Sequence, residues 1–442
     1  MRTRIVRAAG RGLAAMLLLG AGASLRAQDT PGVAGARKTV TLDQAVQLTL
    51  DHSPDMVQAE GTVRTAQASR LAAVGGFLPS LSLSSGASRA SSQRFNSATN
   101  TLTAGSNQSY TAGLTGSVDL FAGGRHLATL RQANAENAAA DAGMVQQQFA
   151  VTLTAKTAFF DVLRTGELVR VAEAQLQEAQ RGLDDAQQRM AVGSATRSDM
   201  LRAQLSVNQA KQALAQAQTN ESDAQFALGR LVGEPGPVGA SSPATLEPKA
   251  LAVPEYQLPT LVEGQSPAVL TAAANVKSTD AGVTTARAQY FPSLRLSAGS
   301  NWLNDQAALA GGNKSWNFGL GLSFPIFNGF QREQQVQNAG VQADNARAQL
   351  SDARLNAHAT LERDLAALKL AEQQVTLSQE AVSVAEEDLR VQNERYRLGA
   401  GTMLDRLTSE AALVQAQTNA VNARYDYQIA RAQLEALVGR SL

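Results

Sequence analysis

Hydrophobic positions along the chain follow two periods. In the stretch 331–398, Leu361, Leu368, Val375, Val382, Leu389 and Tyr396 recur every seven residues. Subtracting 206 gives Ala155, Val162, Val169, Leu176, Leu183 and Met190 in an earlier stretch, 125–192. The accompanying positions are small: Ala172, Ala179 and Ala186 in the first stretch, Ala371, Ser378 and Ala385 in the second. A strict seven-residue period predicts long helices in coiled-coil contact. Neither stretch contains Pro, and the only Gly before each end are Gly143, Gly166, Gly182 and Gly340. At about 1.5 Å per residue each helix is roughly 100 Å long, a length that bridges a distance and that no compact domain needs.

The second period is two. Trp316, Phe318, Leu320, Leu322 and Phe324 alternate with Asn317, Gly319, Gly321 and Ser323. Tyr110, Ala112, Leu114, Gly116, Val118 and Leu120 alternate with Thr111, Gly113, Thr115, Ser117 and Asp119. Leu294, Leu296 and Ala298, and Leu81, Leu83 and Ala87, mark two further strands. Each strand has one apolar face and one face of small polar residues. Segments of about ten residues fit membrane-barrel strands, and the aromatics Tyr110, Trp302 and Trp316 fit interfacial girdles. A half-buried soluble sheet packed on helices is the alternative. The stretches 91–107 and 303–313 are rich in Ser, Asn and Gly and are expected as exposed loops. Four strands cannot close a barrel, and an open edge in lipid is untenable. The chain therefore must oligomerise; three copies supply twelve strands and a ring of long helices.

The chain is also written twice. Phe77-Leu78-Pro79-Ser80-Leu81 recurs as Tyr290-Phe291-Pro292-Ser293-Leu294, and Ser53-Pro54 as Ser266-Pro267, both at an offset of 213. Leu120-Phe121-Ala122-Gly123 matches Ile326-Phe327-Asn328-Gly329 at 206, and Leu231-Val232-Gly233 matches Leu437-Val438-Gly439 at the same offset. The first repeat spans 39–233, with a β-hairpin at 80–121 and a long helical hairpin at 125–232. The second spans 261–442, with a β-hairpin at 293–327 and a long helical hairpin at 331–438. Between them, 234–260 holds six of the twelve prolines and reads as a linker or small irregular region. Helices at 55–76 and 268–289 could stack end to end with the shorter return helices at about 200–232 and 406–438.

Each long helix turns at a similar motif, Gly193-x-x-Thr196-x-x-Asp199 and Gly399-x-x-Thr402-x-x-Asp405. Gly supplies a left-handed residue after the helix, Thr caps the next one, and Asp three residues on completes a capping box.

Composition narrows the chemistry. Residues 1–27 read as a signal peptide: Arg2, Arg4, Arg7 and Arg11 precede an apolar run at 13–25 that is too short to span a bilayer. Removing its five arginines leaves 34 of the 39 basic residues against 38 acidic ones, a net of −4, which argues against a nucleic-acid partner. There is no Cys, which excludes disulfides, thiolate metal sites and a Cys-linked lipid anchor. His52, His126 and His358 are scattered, with His126 and His358 on the long helices as surface or packing residues. No nucleophile elbow, phosphate loop, zinc-ligand set or paired-carboxylate motif is present, so no enzyme activity and no cofactor are expected.

Together the duplicated plan, the Leu-Phe-Ala-Gly-Gly and Ile-Phe-Asn-Gly-Phe turns, the Arg395-Tyr396-x-x-Gly399-x-x-Thr402-x-x-Asp405-x-Leu407 tip and the closing Leu-Val-Gly make the chain resemble the TolC family of outer-membrane efflux channels. The resemblance covers about 39–440. It implies a mainly α fold with β-barrel strands: a homotrimer with a twelve-stranded barrel in outer-membrane lipid, continued by an α-helical coiled-coil barrel in the periplasm. It implies passive exit of substrates from an inner-membrane pump of RND, ABC or MFS type, joined by a periplasmic adaptor. By the same resemblance the adaptor docks at hairpin tips carrying Gly193, Thr196, Gly399 and Thr402, and Asp199, Tyr396 and Asp405 form the periplasmic aperture. Tyr396 and Asp199 could hydrogen-bond across the hairpins. An arginine that locks this Asp in some members falls at Gly401 here, and a second acidic ring position falls at Thr408, so an easily opened gate is expected. Asp405 either lines the lumen or only caps its helix. The competing reading is a surface-exposed structural or adhesive coiled-coil trimer, which would not need the duplication or two strand hairpins. An adaptor would carry one helical hairpin between β-rich domains and no amphipathic barrel strands.

Overall fold

The computed structural model describes residues 38–96, 100–242, 246–308 and 310–442. The signal peptide expected at 1–27 lies outside the described residues. The first repeat runs β1 (Lys38–Val40), α1 (Leu42–His52), α2 (Pro54–Gly75), β2 (Ser80–Asn96), β3 (Thr101–Ala122), α3 (Arg125–Ala191) and α4 (Arg197–Leu231). β4 (Val238–Ala240) and α5 (Leu258–Gln265) follow, then α6 (Pro267–Arg287), β5 (Ser293–Asn304), β6 (Asn313–Ser323), α7 (Gln331–Arg397) and α8 (Met403–Val438). No helix among the described residues is long and apolar enough to cross a membrane.

α3 and α7 are each 67 residues long. α3 packs along α4, α7 along α8, and α3 also lies against α8, so the two helical hairpins share one seam. The seven-residue pattern is the seam. Ala155, Val162 and Val169 are buried on α3, and Leu361, Leu368, Val375, Leu389 and Tyr396 on α7, while Val382 is half-buried. Met190 departs from the pattern and is exposed, because Ala186, Ala203, Tyr396 and Met403 already close the last core layer one turn earlier.

Both return helices end on a left-handed glycine that meets the start of the preceding repeat element. Gly233 (φ 79°) lies against His52, just before α2, and Gly439 (φ 77°) lies against Pro267, the first residue of α6. The region 234–260 is more ordered than a linker. β4 pairs in parallel with β1 from Lys38↔Val238 to Val40↔Ala240, and Tyr427 Oη both accepts from Lys249 N (3.0 Å) and donates to Lys249 O (2.9 Å). Two cores sit at this level. One gathers Leu258, Val262, Leu361, Leu365 and Leu434; the other gathers Val40, Phe159, Phe160, Val238 and Tyr425.

The four long strands form one antiparallel sheet in the order β2-β3-β5-β6, with open edges at β2 and β6. Residues directly opposite share a face, so the register separates two surfaces. Leu114, Ser300 and Trp316 stand in one row of the first, Val118, Leu296 and Leu320 in another; Ser117, Ser297 and Gly319 form a row of the second. The expected loop at 91–107 is a correction: pairing continues to Asn96↔Thr101, leaving only 97–100 between the strands. Backbone pairing needs no apolar face, so a Ser- and Thr-rich extension of the ladder has no alternation to reveal it.

Candidate functional site

The two helical tips are built alike. After α3, Gly193 takes φ 80° and Thr196 is the N-cap of α4. Thr196 Oγ1 accepts from Asp199 N (3.2 Å), and Asp199 Oδ2 accepts from Thr196 N (3.0 Å) and Thr196 Oγ1 (2.7 Å). After α7, Gly399 takes φ 75°, and Thr402 and Asp405 make the same three bonds at 3.2, 3.0 and 2.8 Å. Those bonds hold the Asp405 carboxyl below the usual aspartate range, with Arg395 adding to the effect. The cap leaves Asp405 exposed and charged, so capping and a place on an aperture are compatible.

Tyr396 brings the tips together. Its ring is buried against Ala186, Ala203 and Met403, with Leu183 and Leu407 beside them. Its hydroxyl is buried with no hydrogen-bond partner, and burial, then Asp185 and Asp199, push it above the usual tyrosine value. The hydrogen bond that Tyr396 and Asp199 could make across the hairpins is not made within the chain; the capping box engages Asp199 Oδ2.

Arginines replace it as links between the hairpins. Asp185 accepts twice from Arg189 Nε (3.0 and 3.1 Å), and Arg189 Nη1 donates to the carbonyls of Tyr396 (3.2 Å) and Arg397 (3.3 Å). Arg189 thus caps the C-terminus of α7 from the neighbouring hairpin. Further along the seam, Arg406 of α8 is only 5% exposed and reaches Glu178 of α3 at 3.1 Å. It lies over Gly182, where a Cβ would come within 2.8 Å of its guanidinium. Glu410, also 5% exposed, has both carboxylate oxygens buried without a partner. Burial pushes its carboxyl above the usual glutamate value, Arg406 opposes this, and Glu178 adds to it. The sequence holds one sign of this cluster, a glycine inside a helix; the three charged residues look like solvated surface until α3 and α8 are placed together.

On the sheet, Tyr110, Trp302 and Trp316 all stand on the apolar face. Trp316 is 82% exposed, and Trp302 Nε1 donates to Gly311 O at 2.7 Å. Leu81, Leu83, Phe318, Leu320 and Leu322 share that face and are exposed with them.

An amphipathic sheet with two open edges, carried on helices that end in paired tips, suits a membrane-embedded conduit. The comparisons agree. The profile of the Outer membrane efflux protein family matches residues 45–234 and 258–440. The chain is 30% identical over 404 residues to the pyoverdine export outer membrane protein OpmQ of Pseudomonas aeruginosa, covering 90% of this chain and 83% of OpmQ. It is 28% identical over 406 residues to protein CyaE of Bordetella pertussis, covering 89% and 81%. The crystal structure of the outer membrane protein VceC from Vibrio cholerae superposes with a TM-score of 0.75 at 23% identity, covering 90% of this chain and 96% of that one. The chain belongs to the outer membrane efflux protein family. It is an outer-membrane channel of the kind used in tripartite efflux and secretion, reaching into the periplasm. Channels of this family work with adaptor proteins and inner-membrane pumps, and the family is one of channels rather than enzymes.

Proposed function

We propose that three copies of this chain close into one tunnel that passes cargo from an inner-membrane pump of RND, ABC or MFS type across the outer membrane, with no catalytic step of its own. The sheet carries this reading: its apolar face is exposed and both of its edges are open, so closure with other copies is what lipid demands. A second apolar stripe supports it. Leu370, Leu377, Val384 and Val391 recur every seven residues on α7, with Leu398 just past its end, and are exposed, opposite the buried seam. That spacing suits a helix from a neighbouring copy.

In this assembly the polar face of the sheet lines the lumen, and Tyr110, Trp302 and Trp316 meet outer-membrane lipid. The tips with Gly193, Thr196, Gly399 and Thr402 face a periplasmic adaptor, and Asp199, Tyr396 and Asp405 border the aperture. A photo-crosslinking residue at Val192 or Leu398, both exposed at the tips, tests the adaptor contact in cells. Capture of a periplasmic helical-hairpin protein is expected. Capture of extracellular surface proteins alone would favour the adhesive trimer and contradict the export reading.

A further inference from the structure

Among the described residues, the polar face of the sheet carries a charged cluster at the end where strands meet long helices. Asp119, Arg295 and Gly321 stand in one row across β3, β5 and β6. Arg295 Nε donates to Asp119 Oδ1 at 2.6 Å and Nη2 to Oδ2 at 3.4 Å. Arg125 Nη2 reaches Asp119 Oδ2 at 3.5 Å, and His126 Nε2 lies at the same distance. From the first turn of α7, buried Arg332 donates to Pro325 O (2.8 Å) and Ile326 O (3.2 Å); its Nε is buried without a partner. Glu333 stands 4.0 Å from Arg332. Arg125, Arg295, Arg332 and Asp119 line a cavity of about 620 Å³.

Three features make this cavity suited to an anion. Its three guanidinium groups outnumber the carboxylates of Asp119 and Glu333. The arginine side chains nearest the opening, Arg295 and Arg125, are 62% and 50% exposed, and Arg295 Nη1 and Arg125 Nε and Nη1 have no protein partner among the described residues. Finally, α3 begins here with Gly124 as its N-cap, no side-chain cap and no acidic residue in its first turn, so its positive end is not compensated from within the helix. Gly321, opposite Arg295, leaves open space where a Cβ would stand.

We propose that this cavity is an anion-binding station in the wall of the lumen, taking phosphate or carboxylate groups on the guanidinium forks of Arg125 and Arg295. The proposal rests on the three-chain tunnel argued above, which turns the polar face inward and repeats the station three times. Guanidinium forks match these anions with two parallel hydrogen bonds. Asp119 competes for the same donors, so an anion is held and released rather than trapped, as passage through a channel requires. The station is opposite in sign to the Asp405 position at the other end of the long helices.

The test is calorimetric titration of inorganic pyrophosphate into purified full-length protein at low ionic strength, where screening is weakest. Wild type is expected to bind one pyrophosphate per chain. Arg125→Gln with Arg295→Gln weakens binding by about tenfold or more. Asp119→Asn tightens it several-fold, a gain that misfolding cannot produce. Absence of binding by wild type overturns the proposal, as does equal affinity in the arginine variant. In nanodiscs, equal affinity in neutral and anionic lipid supports a lumenal station. Affinity that falls as phosphatidylglycerol is added assigns the arginines to lipid headgroups and overturns it. The mass and conductance of the assembly report on the tunnel separately: a conducting trimer that ignores pyrophosphate sinks only the station, and a monomer sinks the tunnel beneath it.

Discussion

Arg189 on the first long helix donates to the main-chain carbonyl of Tyr396 on the second at 3.2 Å, and its guanidinium lies 4.9 Å from the centre of the Tyr396 ring. One side chain therefore holds both the backbone and the ring that join the tips. Arg189→Ala is expected to speed amide exchange in the last turn of α7 and to raise single-channel conductance. Tyr396→Phe leaves both near wild type, because the lost hydroxyl has no partner. Tyr396→Ala removes a buried ring and costs about 3 kcal/mol of stability. A Phe variant as disturbed as the Ala variant would show that the hydroxyl, not the ring, makes the joint.

Glu410 gives a pH signature. Its carboxyl titrates above the usual glutamate value, so the folded state binds its proton more tightly than the unfolded state. The stabilisation is present below the unfolded value and is lost as pH rises through the raised one. Glu410→Gln is therefore expected to raise the melting temperature at pH 7, on the order of a few degrees. The gain shrinks toward pH 4, where wild-type Glu410 is itself neutral. A gain that is the same at both pH values would remove titration as the cause.

The two apolar stripes of α7 separate folding from the proposed assembly. Leu368→Asp places a charge in the buried seam and is expected to unfold the helical hairpin, a loss of several kcal/mol. Leu377→Asp or Val384→Asp lies on the exposed stripe. If three copies assemble as proposed, these variants should keep helix content and dissociate that assembly, measured by circular dichroism together with light scattering.

Equivalent glycines at the strand-to-helix turns are not equally replaceable. Both Gly123 (φ 61°) and Gly329 (φ 66°) are left-handed, but a Cβ on Gly123 would stand 2.4 Å from Phe291 Cβ, whereas nothing lies within 4 Å of one on Gly329. Gly123→Ala is expected to lower the yield of folded barrel sharply. Gly329→Ala costs only its backbone strain, about 1 kcal/mol. The heat-stability of the purified protein on gels reads the difference.

Much of the fold is legible in the sequence because large residues carry both periods: Leu361, Leu368 and Leu389 on a helix, Trp316, Phe318 and Leu320 on a strand. The links between elements are not. Arg189 and Arg406 look like ordinary helical surface, and Asp119 and Arg295 are 176 residues apart in sequence. Their roles depend on which helix or strand lies opposite. Gly182 is the one visible trace, since glycine inside a helix costs about 1 kcal/mol and is retained where a neighbour needs the space. The duplication misleads in the same places. Gln204 and Met200 occupy the positions matching Glu410 and Arg406, so the buried polar cluster exists only where the two copies differ.

Single-channel recording of the purified protein in planar bilayers tests the three-chain tunnel most directly, with wild type, Asp405→Ala and Arg189→Ala compared. A tunnel bordered by Asp405 predicts discrete, long-lived pores that prefer cations, a preference that falls in Asp405→Ala. Folded assemblies that carry no current, even when Arg189→Ala has released the joint between the tips, would contradict it.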